Sequence, residues 1–376
     1  MATVSKDEKT GTYMVRYRTP ENKQTKKRGF TTKRDANAFA ASVEVKKMTG
    51  EYIAPSLGKV TIGSLGPGWL ERQKGHMKPS GFRSYESCWR NHVEPRWADV
   101  KISDVKYSEV QAWITSLSTK LSASMIANVY SVLARILDDA VRDRSIPSNP
   151  ARGVRLPKRT KKPNVYLTRE QLFALADESG RYRSLVLLLG TVGLRWGEAA
   201  ALRVSDVDFL RRRITLHENA VRIGATTHVG SLKTGHNRVV PLSLFAAEAI
   251  AKTCEGKERE NLIWPSASGD YLGPPAGNKS WLSGAVARCQ AADSTFPRIT
   301  AHDLRHTAAS LAISAGANVL VVQRMLGHAS AAMTLDTYAD LFDDDLNAVA
   351  DRLDALVPKM CPDGAQKPKS TALKSV

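Results

Sequence analysis

Apolar and polar positions change period several times along the chain. In TYMVRYR (12–18), Tyr13, Val15 and Tyr17 point one way and Met14, Arg16 and Arg18 the other, which predicts a half-buried strand. A turn at Pro20, Glu21 and Asn22 leads into KQTKKRGF, a second, basic strand. Thr32 and Asp35 have the spacing of a capping box for a helix running to about Met48, closed by Gly50. From Val60 the pattern becomes helical, with periodic segments around Trp69 and Leu70, from Tyr85 to Val93, from Val110 to Leu117 and from Ala123 to Val141. Breaks are expected at Pro79, at Pro95 and at the Leu121-Ser122 cap, with Pro147 and Pro150 ending the block. The stretch 151–163, ARGVRLPKRTKKP, has no apolar periodicity and reads as an extended linker.

Beyond it the elements are mixed. Thr168 and Gln171 form a capping box, and SLVLLLGTV predicts a helix buried on all sides. RRRITLH, AVRI and NRVVPLS are strand-like, and the rest to about Leu356 is helical. The tail 358–376, rich in Lys, Pro, Ser and Gly, is expected to be disordered. No internal repeat is evident. At roughly 100–200 residues per domain, 376 residues fit two or three domains. The expected class is therefore multidomain α+β: a small N-terminal sheet with one helix (1–59), a helical domain (60–150), a linker (151–163) and a mixed, mainly helical domain with a small antiparallel sheet (164–357).

Charge changes this picture. Lys and Arg number 55 against 37 Asp and Glu, a net of +18. Residues 1–59 carry +7 and 151–163 carry +6, whereas 164–357 carry −1. A surface charged only for solubility would spread its excess evenly. Clustered charge instead points to a polyanion, with nucleic acid favoured over an anionic membrane because no basic amphipathic helix with an aromatic face accompanies the clusters. Arg16, Arg18, Lys26 and Arg28 on the N-terminal strands, Lys78, Arg83 and Arg90 in the helical block, and Arg155, Lys158, Arg159 and Lys161 in the linker are the candidate phosphate contacts. The bland alternative for the strands is a basic edge that deters aggregation. Cys88, Cys254, Cys289 and Cys361 are scattered, with no C-x-x-C pair for a disulfide framework or a zinc knuckle. There is no run of about 18 apolar residues, and the N-terminus lacks a signal-peptide core, so a soluble cytoplasmic protein is expected.

Candidate chemistry lies in 164–357. Arg195, in GLRWGE, follows an apolar helix closed by Gly193 and opens the next helix, where backbone N–H groups also point outward to hold a phosphate. Lys233, in SLKTGHNR, is placed in a tight turn before a strand, projecting from a hairpin. In TAHDLRH, Thr300 is a helix N-cap with Asp303 in the first turn, and His302 and Arg305 share a face. His302 and His306 also have the spacing of a zinc helix, but Asp303 stands where a zinc protease needs Glu, and Arg305 would put a cation beside the metal. His328 lies just past a helix ended by Gly327, and Tyr338 follows in MTLDTYADL. Taken singly, each residue has an ordinary reading: a solvated cation, a satisfied helix end, a core-edge tyrosine. Together they suit phosphodiester chemistry. Two arginines neutralise the non-bridging oxygens, the histidines bond the same group and relay the tyrosine proton, and the lysine protonates the departing oxygen. No metal or other cofactor is needed.

With these residues in view, the chain resembles the tyrosine recombinases of the phage integrase type. The order Arg195, Lys233, His302, Arg305, His328, Tyr338 is similar to that family's catalytic set, and the strings GLRWGE, SLKTGHNRVVPL, TAHDLRHT and MLGHASAAMTLDTYAD resemble its boxes. Residues 60–150 resemble the core-binding domain and 1–59 the arm-site domain; Gly81-Phe82 departs from the small polar or basic residues more usual there. The resemblance implies attack by Tyr338 on a DNA phosphate, a 3′-phosphotyrosyl enzyme and a free 5′-hydroxyl, then rejoining by a partner's 5′-hydroxyl without ATP or metal. It also implies double-stranded core- and arm-type attachment sites, a homotetramer on DNA, docking of residues 343–356 on a neighbouring protomer, and a DNA-bending host factor and an excision factor as candidate partners. Three other classes stay open: a chromosome-dimer resolvase, an idle DNA-binding regulator and a zinc hydrolase.

Overall fold

The computed structural model describes residues 2–8, 10–20, 22–50, 52–160, 163–232 and 237–342. They fall into two compact units, 1–162 and 163–376.

The first unit opens with an antiparallel sheet in the order β1 (Thr3–Lys6), β2 (Tyr13–Arg18), β3 (Gln24–Phe30), backed by α1 (Lys33–Met48). Strand β1 has no counterpart in the sequence pattern, because its only partly buried residue is Val4. Thr32 caps α1 as expected: Asp35 N–H donates to its hydroxyl at 3.1 Å, and the hydroxyl donates to the Asp35 carboxylate at 2.8 Å. The strict alternation of β2 fails at Met14. A register shift between Tyr13 and Val15 breaks the two-residue period, so Met14 and Val15 are both buried. Arg16 and Arg18 do face out, and Arg16 lies directly opposite exposed Lys26. Like charges paired across strands are unfavourable, so this pair does not stabilise the sheet.

The helical part comprises α2 (Ile62–Lys74), α3 (Pro79–Cys88), α4 (Glu94–Trp97), α5 (Tyr107–Leu117) and α6 (Ala123–Arg142) around a core that includes Trp69, Trp97, Trp113, Ile126 and Leu133. The expected break falls at Pro79 but not at Pro95. Pro79 starts α3 at a first-turn position, where its missing N–H is not needed. Pro95 breaks nothing: a π-turn at Trp89–Val93, in which Glu94 N–H bonds the Trp89 carbonyl, carries the helix into α4. The helical domain also reaches past residue 150. Ala151 and Val154 are buried in its core, and Gln111 exchanges two hydrogen bonds with the Arg155 backbone, so the linker begins only after them.

The second unit contains α7 (Arg169–Glu178), α8 (Arg183–Val192), α9 (Trp196–Ala200), β4 (Val207–Asp208), β5 (Arg213–Leu216), β6 (Glu218–Ile223), β7 (Thr226–Ser231), β8 (Arg238–Pro241), α10 (Leu244–Cys254), α11 (Trp281–Ala292), α12 (Ala301–Ser314), α13 (Val319–Leu326) and α14 (Ala331–Tyr338). The Thr168–Gln171 capping box is present at α7, and α8 is buried over nearly its whole length against α7, α10 and α12. The hairpin is β6–β7, turning at Gly224-Ala225, whereas β8 pairs with β5 and not with β7. Lys233 itself lies outside the described residues, as do Lys161, the segment 343–356 and the tail. Among the described residues, no helix is long and apolar enough to cross a membrane.

Candidate active site

Two arginines meet at the ends of two helices. Gly193, in the left-handed region at φ 71°, ends α8; a Cβ there would lie 2.6 Å from Leu326 and 3.2 Å from the Ala308 Cβ. Only glycine allows α8 to end this close to α12 and α13. Its carbonyl accepts from Arg305 Nη1 at 2.5 Å, while Arg305 Nη2 donates to the Leu326 carbonyl at 2.8 Å. The next carbonyl, Gly327, accepts from Arg195 Nη2 at 3.0 Å. The two guanidinium groups thus hang from successive carbonyls at the C-terminus of α13, where the helix dipole favours cations. Arg305 is buried, and desolvation, reinforced by Arg195, lowers its pKa to about 10, which still leaves it charged at neutral pH.

Arg195 is the N-cap of α9, and its orientation depends on Glu198. That carboxylate, 1 % exposed, accepts from Arg195 Nη1 at 2.9 Å and Arg195 N–H at 2.9 Å, and from both terminal nitrogens of Arg238 at 3.0 and 2.7 Å. Burial would raise its pKa, but the Arg238 hydrogen bond and charge, with the Arg195 bonds, outweigh it and hold the group below the usual glutamate range. Gly327 leaves room for Arg238: a Cβ there would lie 2.6 Å from Nη1.

Around the arginines stand three histidines and the tyrosine. His302 is exposed at the start of α12, whose capping box is closed by Asp303, with Thr300 N–H donating to its carboxylate at 2.7 Å. The His302 and His306 rings meet edge-on at 4.9 Å. His306 Nδ1 and Tyr338 Oη share a hydrogen bond of 2.9 Å. His328 lies parallel to the Tyr338 ring at 6.4 Å, and its Nδ1 is hydrogen-bonded to the buried Thr334 hydroxyl at 3.0 Å. Desolvation lowers all three histidine pKa values, with added push from neighbouring cationic or imidazole groups; His328 falls to about 4. Tyr338, 1 % exposed and packed on Ala309, Ile313, Val322 and Leu326, is pushed up to about 12 by desolvation. At rest the site therefore holds neutral imidazoles and a protonated phenol beside two cations.

Of the six residues singled out in sequence, five converge here: Arg195, His302, Arg305, His328 and Tyr338. The pair read as a possible zinc helix is used otherwise, since one nitrogen of His306 is engaged by Tyr338; no group of three or more metal-ligating side chains occurs among the described residues. Sequence reasoning missed Glu198 and Arg238, and counted His306 only for zinc. Two of them had a local signal, Glu198 three residues after Arg195 and His306 four after His302. Arg238 had none, because its partner is 40 residues away. Arg16, Arg18, Lys26, Arg28, Lys78, Arg83, Arg90, Arg155, Lys158 and Arg159 are all exposed.

Similarity to known proteins follows this geometry. Residues 166–344 match the phage integrase family, residues 3–47 an arm DNA-binding domain, and residues 61–118 the N-terminal SAM-like domain of phage integrases. The ICEBs1 integrase of Bacillus subtilis is 24% identical over 292 residues, covering 74% of this chain and 79% of that protein. The Tn1549 transposon integrase, solved with a circular intermediate DNA, superposes with a TM-score of 0.67 at 22% identity over 78% of this chain and 99% of that one. A lambda integrase tetramer bound to a Holliday junction gives 0.56 at 18% identity, over 87% and 95%. The chain is a tyrosine recombinase of the phage integrase type.

Proposed function

We propose that this enzyme is a site-specific integrase of a phage or mobile element and that Tyr338 is its nucleophile. The observation that carries this reading is the pair of guanidinium groups fixed on the Leu326 and Gly327 carbonyls, with a hydrogen-bonded tyrosine beside them. A scissile phosphate seated on Arg195 and Arg305 has its developing charge met by cations that need no reorganisation. His302 and His328 hydrogen-bond the same phosphate. Tyr338 attacks, leaving a 3′-phosphotyrosyl bond, and Lys233 protonates the departing 5′-oxygen. Attack by a second duplex's 5′-hydroxyl reverses the step, with the bond energy kept in the covalent link. At 1 % exposure Tyr338 is stored, so seating of the DNA has to open α14 before the hydroxyl reaches phosphorus.

The basic face of Arg16, Arg18, Lys26 and Arg28 takes arm-type sites, while Lys78, Arg83, Arg90 and the linker cations Arg155, Lys158, Arg159 and Lys161 track the core site. Four protomers hold two duplexes in the bacterial cytoplasm, with a DNA-bending host factor and an excision factor as candidate partners. The N-terminal sheet with its opposed Arg16 and Lys26 favours an element integrase over a chromosome-dimer resolvase. A suicide substrate, nicked so that the 5′-fragment diffuses away, tests the assignment: the trapped adduct is expected at Tyr338, and mapping to another residue overturns it.

A further inference from the structure

We propose that His306, rather than His302, accepts the Tyr338 proton when the tyrosine attacks DNA. The inference rests on the nucleophile assignment above and deepens it. His306 Nδ1 is already 2.9 Å from Oη before DNA is present, within the range required of a general base. The histidine hydrogen-bonded to the hydroxyl is His306, not His302 or His328. His328 spends Nδ1 on Thr334 and lies flat against the Tyr338 ring, and His302 meets His306 edge-on from the far side. The order in space is thus His302, His306, Tyr338, with ring-centre separations of 4.9 and 5.6 Å. His302 is exposed where the phosphate arrives, and His306 is half-buried between it and the nucleophile. Because they are four apart on α12, the two imidazoles share one face.

The chemistry balances within this set. Neutral His306 carries its proton on Nε2 and presents the Nδ1 lone pair to the phenol. As the Oη lone pair forms the bond to phosphorus, the Oη proton passes to Nδ1 and the P–O5′ bond breaks; O5′ takes its proton from Lys233. In rejoining, the incoming 5′-hydroxyl returns its proton to the neutral Lys233 amine and forms the new P–O5′ bond, the P–Oη bond breaks, and the His306 imidazolium returns its proton to the departing Tyr338 oxygen. Desolvation, with His302 and Arg305, keeps the resting ring neutral against the opposite pull of Asp303, so its lone pair is free to accept.

His306→Asn provides the test, because the asparagine amide oxygen can occupy the Nδ1 position and accept the hydrogen bond but cannot take the proton. Full-length wild-type, His306→Asn and His302→Asn proteins are compared in single-turnover cleavage of the nicked core site, each also with a fluorinated, more acidic tyrosine at position 338. His306→Asn should bind the site normally and cleave about 10²–10⁴-fold more slowly, the usual scale of general-base catalysis. The acidic phenol should recover most of that loss, and little of the loss in His302→Asn, which serves the phosphate. Wild-type cleavage rates in His306→Asn would reduce His306 to a docking point and overturn the inference. So would recovery by fluorotyrosine in His302→Asn alone. Failure of wild-type protein to form an adduct at Tyr338 overturns the nucleophile assignment itself, a separate and recognisable result.

Discussion

Removing Arg238 tests the network beneath the phosphate site. Glu198 is 1 % exposed and carries four hydrogen bonds, two of them from the Arg238 guanidinium at 3.0 and 2.7 Å. Arg238→Ala strips both and leaves a buried carboxylate with Arg195 as its remaining cation. Breaking a buried pair from one side costs about 3–5 kcal/mol. For a unit of this size that corresponds to a fall in melting temperature of roughly 6–20 °C. The orphaned carboxylate also draws Arg195 toward itself and away from an incoming phosphate, so cleavage should fall even at temperatures where the variant is folded. Arg238→Lys, a point charge without the bidentate fork, should lie between. The pH dependence has a defined sign. Glu198 has a folded pKa below its unfolded value, so its stabilisation is complete above the ordinary glutamate pKa of about 4.3 and is lost only as pH falls through the lower, folded value. Scanning calorimetry of full-length protein, with Arg238→Ala, Glu198→Gln and the double variant, supplies the assay. Coupling of about 0.5–3 kcal/mol is expected. Additive effects, or an unshifted transition in Arg238→Ala, would refute the reasoning.

Other outcomes follow from the same geometry. Tyr338→Phe should abolish the covalent adduct, keep DNA binding in a gel-shift assay, and cost only about 0.5–1.5 kcal/mol from the lost His306 bond; residual adduct would point to another nucleophile. Lys233→Ala should slow cleavage about 10²–10⁴-fold, and a 5′-bridging sulfur, a leaving group that needs no proton, should restore most of the rate; no rescue would give Lys233 another role. Gly193→Ala should destabilise by more than the roughly 1–2 kcal/mol of a left-handed residue, because its Cβ also meets Leu326 at 2.6 Å; a melting temperature equal to wild type would show that α8 and α13 part easily. A chain starting near Gly58 should cleave a minimal core site but lose protection of outlying arm sites in footprints at matched salt. If truncated and full-length proteins protect the same DNA, the basic sheet is only an electrostatic anchor.

Local signals decided a good part of this protein before any folding. A capping residue and its partner lie three apart, so Thr32 and Thr168 announced their helices, and the unbroken apolar run before Gly193 announced a buried one. Charge segregation and the spaced set from Arg195 to Tyr338 pointed to DNA and to phosphodiester chemistry, because residue types and their order need no coordinates. Elements whose outcome hinges on a neighbour escaped. Met14 is buried by a register shift that only pairing with β3 creates, and Pro95 is carried in helix by a π-turn upstream. Strand pairing set β8 beside β5 rather than beside β7. The site divides in the same way. Sequence named the arginines and the tyrosine, but contacts spanning 132, 40 and 32 residues decided that Arg195 hangs on Gly327, that Arg238 holds Glu198, and that His306 is the histidine touching Tyr338. A pattern along the chain carries each residue's local preference; which side chains meet depends on how α8, α12 and α13 close on one another, and that is settled only by packing.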